Sequence, residues 1–366
     1  MAYCRSDTSF RTCGLATIEH VRIHPLNHGL TQLLVEIIDS DGVSGIGECW
    51  WGIPNAEVPG RGANPIAATV ESVITPRIQG HDAHDVQRLW YEVMDFGQRY
   101  GDQGIFTMAL AGVDLALWDL LGKRHDCPVV SLLGGAVHQR VPAYASLPPL
   151  RDPDVLAAEC RRAVREGFAG IKLHEHEEDL VHLSREAAGP DVEIMVDVNG
   201  WFRPEQTRAF DDALVAARVL WFEEPISPMR DIDAIAAVSQ TLETPLAGGE
   251  NEYSLRDFER LLSARALTWV QPEITKIGGL TPALRISALT ELYNTALAPH
   301  NFRLGPSLLA SIHWGFASPQ TTWFEVPFVP ETMHVPSGLQ RPTLIDGCIT
   351  VPEEPGFGAF LPPSGD

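Results

Sequence analysis

The chain has 366 residues, 45% hydrophobic and 20% charged, the composition of an ordinary globular protein, which sets aside disordered and fibrous classes. Its formal net charge of −21 excludes nucleic acid as a partner, because a phosphate backbone rewards clustered Lys and Arg. No uncharged run has the length of a membrane span, and the start, Met1-Ala-Tyr-Cys-Arg, lacks the apolar core of a signal peptide.

The six cysteines (4, 13, 49, 127, 160 and 348) are scattered, with no C-x-x-C pair, and read as reduced thiols. A cytoplasmic protein without membrane contact is expected, long enough for one large α/β barrel plus a smaller domain. From Ala16 to Glu48 the chain alternates as strands do, in Ile18–Ile23, Gln32–Ile38 and Val43–Cys49, with Asp41-Gly42 as the hairpin turn. Trp50 and Trp51 then open a Pro/Gly-rich loop to Pro65. The period lengthens after Ile66: Val86, Leu89, Trp90 and Val93 mark one helix, and Ala109, Val113, Leu117 and Leu121 a second that ends near Gly122.

From Val141 onward short apolar strands alternate with helical segments. Strands are expected at Val141–Leu147, Phe168–Glu175, Glu193–Asn199, Val219–Glu224, Leu246–Glu250, Leu267–Glu273, Thr295–His300 and Thr322–Val326. Eight such repeats point to a TIM-type barrel. A doubly wound sheet competes, but the glycine-rich loop after a first strand is missing. The Pro/Gly-rich tail from Pro327 to Asp366 is expected to pack back on the N-terminal domain.

Residues at the C-terminal ends of barrel strands share one cleft. Asp197, Glu223 and Glu250 close the third, fourth and fifth expected strands, one β/α unit apart, and put one carboxylate each at the rim. Three hard oxygen ligands with open positions suit Mg²⁺, although a lone strand-end carboxylate is more often a cap or a solvated charge. The second strand ends Ile171-Lys-Leu-His-Glu175, where period two turns Lys172 and His174 to one face. A lysine there is costly to desolvate unless anions neutralise it, which the triad or a substrate carboxylate would do. His174 titrates near neutrality and can act as a base. The run through His176 tempts a zinc reading, but the His-x-x-x-His spacing of a zinc helix is absent and His176 reads as a surface histidine. Glu273 and His300, on the sixth and seventh strands, can form an orienting hydrogen bond. Glu325, on the eighth, could donate to a developing enediolate if protonated.

This layout resembles the enolase superfamily and, within it, the mandelate racemase branch. Ala111-Gly-Val-Asp-Leu-Ala-Leu-Trp-Asp and Leu132-Leu-Gly-Gly are similar to that family's linker signature. Asp197-Val-Asn199, Glu223-Glu-Pro, Gly249-Glu-Asn251, Lys276-Ile-Gly-Gly and Pro299-His300 follow in family order. The resemblance covers nearly the whole chain. It implies an α+β capping domain over residues 1–138, completed by the tail 327–366, and a modified (β/α)7β barrel over 139–326. It also implies Mg²⁺ on Asp197, Glu223 and Glu250, with Asn199 supporting Lys172, and a homo-oligomer as the family commonly forms. Two positions depart from it: the second lysine of Lys-x-Lys is here His174, and the usual Asp partner of the seventh-strand histidine is Glu273. Both resemble sugar-acid enzymes of the branch more than mandelate racemase itself.

The expected chemistry is removal of the α-proton of a small-molecule carboxylate, with Mg²⁺ and Lys172 gathering the charge of the enediolate. Enolase-type sites with a Lys or His base are a named pattern. With His174 and His300 on two sides of the substrate, dehydration of a sugar acid to a 2-keto-3-deoxy acid is favoured by the polar rim. Racemisation, epimerisation or cycloisomerisation are the alternatives, and a catalytically inactive binding protein is supported only by the two altered positions. Specificity is expected from Pro25–Leu30 and from the loop Trp50–Pro65, where Trp50, Trp51 and Arg61 would form a lid over a polyol acid or, equally, pack the domain interface.

Overall fold

The computed structural model describes residues 16–27, 31–50, 64–329, 331, 335, 339 and 341–362. The N-terminal part is a three-stranded antiparallel meander, β1 (Ile18–Asn27), β2 (Thr31–Asp39) and β3 (Ser44–Cys49). At the β2–β3 turn Asp39 Oδ1 accepts the N–H groups of Asp41 and Val43, each at 2.9 Å, and Gly42 takes φ +82°. Asp39 thus supplies the side-chain turn bonds and Gly42 the positive φ. Helices follow: α1 (Pro65–Thr69), running through a π-helical turn (Val70–Ile74) into α2 (Thr75–Ile78), then α3 (Val86–Gly97), α4 (Ile105–Arg124) and α5 (Val129–Leu132).

α4 is apolar on every face and is buried between the meander and the barrel. By length and composition it alone among the described helices could cross a membrane, where the sequence led us to expect no such stretch. Its apolar faces are consumed within the protein: 83% of the apolar window is buried. β3 lies on it at backbone distance, for a Cβ on Gly47 would stand 2.1 Å from the Gly112 carbonyl oxygen.

The barrel alternates strand and helix: β4 (Val141–Ser146), α6 (Pro153–Arg165), β5 (Gly170–Leu173), α7 (Glu178–Ala188), β6 (Glu193–Asp197), α8 (Pro204–Ala216), β7 (Val219–Glu223), α9 (Ile232–Ser239), β8 (Leu246–Gly248), α10 (Leu255–Ser263), β9 (Trp269–Val270), α11 (Leu280–Tyr293), β10 (Ala296–Leu297), α12 (Pro306–Phe316) and β11 (Phe324–Pro327). The strands pair in parallel in chain order from β4 to β10, and β11 pairs back with β4. The ring closes where Leu297 bonds Gln320 and Thr322 on the approach to β11. This is the expected (β/α)7β barrel with a capping domain. A last short strand, β12 (Cys348–Ile349), runs antiparallel to the start of β4.

Several strands are shorter than the sequence predicts. β8 stops at Gly248 because Gly249, at φ +109°, turns the chain out of the ladder, and β9 and β10 keep only two paired residues. Glu250, Glu273 and His300 therefore stand just beyond the strands rather than at their last residues, joined for the last two by an isolated bridge. Inside the ring, Tyr144, Met195, Trp221, Ala247 and Ala298 form a packed layer, and the rim polar groups stand on it.

The capping domain is bound to the barrel through buried polar contacts. Glu48, at the end of β3, accepts from Gln32 Nε2 (2.9 Å) and from the Ser307 N–H (3.0 Å) in the first turn of α12, and Gln32 also donates to the Leu304 carbonyl (2.7 Å). A carboxylate at a helix N-terminus satisfies a donor that helix geometry leaves free. In α4, Asp114 accepts from the Thr281 N–H and hydroxyl (2.9 and 2.6 Å), and Asp119 accepts from the Phe357 N–H at 2.7 Å. The Val129 N–H donates to the Gly356 carbonyl, the Gly356 N–H to the Cys127 carbonyl and Lys123 Nζ to the Ala359 carbonyl, which lays residues 356–359 of the tail against α4 and α5. Cys49, Cys127, Cys160 and Cys348 are free thiols.

Candidate active site

Asp197 at the end of β6, Glu223 at the end of β7 and Glu250 beyond β8 are all buried, and one oxygen of each lies within 4.8 Å of the others. Lys172, inward on β5 and fully buried, sits among them: its Nζ is 2.8 Å from Glu223 Oε1, 2.8 Å from Glu325 Oε1 and 3.6 Å from Asp197 Oδ2. Trp221 Nε1 (2.9 Å) and Gln271 Nε2 (2.7 Å) donate to the other oxygen of Glu223. Burial, reinforced by the like charges of Asp197, Glu325 and Glu250, pushes Glu223 up to about 7 despite Lys172. Asp197 is held below its ordinary range although burial opposes this, because Lys172 and His174 stand beside it.

Asp197, Glu223 and Glu250 crowd three buried carboxylates together, and repulsion from Asp197 and Glu250 adds to burial in raising Glu223 although Lys172 stands beside it. A hard divalent cation held by all-oxygen ligands fits that crowding and that donor set.

The two histidines line one cavity of about 420 Å³ and touch different members of the triad. His174, one residue past β5, places Nε2 3.3 Å from Asp197 Oδ2 and Nδ1 2.5 Å from the Leu147 carbonyl oxygen. A carbonyl only accepts, so Nδ1 carries the proton and Nε2 is the nitrogen turned to the site. His300 places Nε2 2.9 Å from Glu250 Oε2 and Nδ1 2.7 Å from Glu273 Oε2. The longer Glu273 reaches the histidine where the family pattern has Asp, and its second oxygen is fixed by the Thr275 hydroxyl (2.6 Å) and N–H (3.0 Å). Burial disfavours a charged His300, but Glu250, Glu325 and Glu273 outweigh it and hold the imidazole well above its ordinary value.

Two expected roles are altered by the geometry. Asn199, at φ +44°, folds back over the end of β6 and bonds Asp197 through its N–H (2.8 Å) and side-chain amide (3.1 Å), with no bond to Lys172. Glu325 lies within β11 and is paired with Lys172 while accepting from the Asn301 N–H (3.1 Å) and Tyr144 hydroxyl (3.3 Å). Lys172 and His300 overcome burial and keep it below its ordinary value, so it stands as an acceptor rather than the protonated donor expected. His176 is outside the triad and stacks on Trp201 at 3.9 Å.

Trp50 lines the cavity beside His300 and covers Lys276, whose Nζ is 4.1 Å from its ring centroid and 2.8 Å from Asn251 Oδ1. Trp51, Arg61 and residues 28–30 lie outside the described residues. Away from the acidic cluster the cavity wall is apolar, formed by Trp50, Pro148, Pro149, Phe302, Phe328 and Val329. Sequence reading passed over Tyr144, Trp221 and Gln271, and gave no role to Asn251 and Lys276 beyond their place in the family motifs. Trp221 and Gln271 stand two residues before Glu223 and Glu273, so the period of a strand would have found both.

Residues 19–134 match the mandelate racemase/muconate lactonizing enzyme N-terminal domain, and residues 155–363 the enolase C-terminal domain-like family. The chain is 29% identical to an arabinonate dehydratase of Saccharolobus solfataricus, over 90% of this chain and 88% of that one. It is 30% identical to a D-galactarolactone cycloisomerase of Agrobacterium fabrum, over 93% and 95%. Among solved structures it is similar to a racemase from Streptomyces coelicolor with bound magnesium, with a TM-score of 0.81, 29% identity and 94% and 97% of the two chains covered. Its two matched domains, its barrel and its relatives together place this chain in the enolase superfamily, as a mandelate racemase/muconate lactonizing enzyme-like member.

Proposed function

We propose that this protein is a magnesium-dependent enzyme that removes the α-proton of a small carboxylate, and that its reaction is dehydration of a sugar acid to a 2-keto-3-deoxy acid. The observation that carries the reading is the buried triad Asp197, Glu223 and Glu250 with Lys172 among its carboxylates and His174 and His300 lining the cavity beside it. Asp197, Glu223 and Glu250 would hold the ion. Bound there, magnesium supplies positive charge for a substrate carboxylate as its α-carbon becomes acidic. Lys172 supplies a second, fixed charge for the same oxygens.

His174 Nε2 takes the α-proton as the C–H bond breaks, and its electrons move into the carboxylate to give an enediolate. His300 gives its Nε2 proton to the β-hydroxyl, which departs as water while the enediolate electrons form the C=C bond. The resulting enol tautomerises to the 2-keto acid. Glu273 orients His300 and stabilises its protonated form, as a carboxylate does for a catalytic imidazole.

A second reading, cycloisomerisation, is supported by the apolar cavity wall, which suits the C–H face of a ring, and by the cycloisomerases among the relatives. Incubation with Mg²⁺ and a panel containing arabinonate, D-galactonate and D-galactarolactone separates the two. Dehydration yields a 2-keto acid with one solvent deuterium at C3. Conversion of the lactone to an isomer of unchanged mass, with no 2-keto acid from any open-chain acid, would replace the first reading by the second.

A further inference from the structure

His174 is held from behind. Its ring bonds the Leu147 carbonyl, and Leu147 is itself tied to β5 by its N–H on the Lys172 carbonyl (3.0 Å). Pro148 and Pro149 come next and have no N–H to anchor the connection. The first donors available are those of Leu150 and Arg151, and both go to one buried side chain, Glu175, whose Oε1 accepts them at 2.8 and 3.4 Å. Glu175 Oε2 accepts from Arg151 Nη1 at 2.8 Å, and that nitrogen donates again to the His174 carbonyl at 2.9 Å. Arg151 adopts φ +58°, a conformation a non-glycine residue keeps only where its surroundings enforce it. Period two explains the division of labour: His174 faces the cavity, and Glu175 faces the connection that carries the carbonyl on which His174 rests.

We propose that Glu175 and Arg151 are positioning residues that lock His174 as the Nδ1–H tautomer with Nε2 toward the substrate. The proposal rests on His174 being a proton-transfer residue. Nothing else among the described residues holds the Leu150 and Arg151 N–H groups, and Glu175 serves them and Arg151 Nη1 with two acceptor oxygens; an amide has one, so Glu175→Gln breaks one arm and loosens the connection that carries the Leu147 carbonyl.

The tautomer is read directly by long-range ¹H–¹⁵N spectra of the ¹⁵N-histidine-labelled full chain, saturated with Mg²⁺, at a pH where imidazole is neutral. His174→Ala identifies the signal by its absence. The wild-type protein should show His174 as a single Nδ1–H tautomer. Glu175→Gln and Arg151→Ala should each lose that single-tautomer signature and show both forms. A thermal melt confirms that each variant is folded. Arg151 is half-exposed, so its variant carries the test should Glu175→Gln fail to fold. One unchanged Nδ1–H tautomer in a folded variant of either kind would overturn the clamp. The reading of His174 as a base fails separately, if His174→Ala keeps full exchange of the substrate α-proton.

Discussion

His174 and His300 reach the same cavity from β5 and β10, and the protein secures them by different means. His174 rests on a neutral backbone carbonyl, and His300 on the carboxylate of Glu273. A neutral acceptor fixes the tautomer and adds little to basicity, whereas a charged acceptor also stabilises the imidazolium. An orienting hydrogen bond is therefore not one device but two. In the proposed reaction the first fixes which nitrogen, Nε2 beside Asp197, faces the substrate to take a proton, and the second prepares a cation that gives one. The asymmetry is carried in part by His174 and Glu273, the two positions at which the chain departs from the family pattern.

The comparison holds only if both histidines work around the same ion, so its strongest test removes the ion. Asp197→Asn or Glu223→Gln should abolish high-affinity Mg²⁺ binding in calorimetry and lower turnover by on the order of 10³-fold or more, because a metal Lewis acid is worth several kcal/mol. Unchanged Mg²⁺ affinity in both would remove the shared centre. Next, His300→Asn should reduce dehydration by roughly 10²–10⁴-fold, hydroxide being a poor leaving group without an acid. Exchange of the α-proton with D₂O should survive in that variant, because His174 remains. Loss of exchange together with dehydration, at normal Mg²⁺ binding, would reverse the two roles.

His174→Ala should cut exchange and dehydration together, by roughly 10²–10⁴-fold, and His174→Lys should restore part of both. The smallest effect is expected at the device itself. Glu273→Gln keeps the reach to His300 but not the charge, and should cost roughly ten- to a hundred-fold in turnover, the scale of outer partners of functional histidines. Equal turnover with Gln and Glu would mean that only orientation matters at His300, and the contrast with His174 would disappear.

Much of this was legible in the sequence. The triad was visible because a parallel barrel converts one β/α spacing into one rim position, and Lys172 and His174 because strand period two is strict. What escaped were contacts between units. Nothing local in Asn199 tells that its backbone turns left-handed and returns its amide to Asp197 rather than Lys172. The ion pair of Glu325 with Lys172 depends on β11 closing beside β4, a contact between strands far apart in the chain. The Glu175–Arg151 clamp was hidden for a simpler reason: Glu175 is the last residue of the expected second strand, where nothing local tells what it meets, and only the fold shows it buried against Arg151.

The link from Glu48 to α12 has a mechanical meaning. Glu48 is pinned to the barrel two residues before Trp50, and Gly47 on its other side is seated on α4 with no room for a side chain. Trp50 thus projects into the cavity from a fixed post. A cap free to hinge could adapt to acids of different size by swinging, as lids do. Here the stretch leading to Trp50 cannot swing without breaking buried hydrogen bonds between the cap and the barrel. In the proposed reaction selectivity at this wall follows what the side chains are and not where the cap travels, so a new substrate would be admitted by replacing Trp50 or Phe302, with His174 and His300 on the barrel untouched.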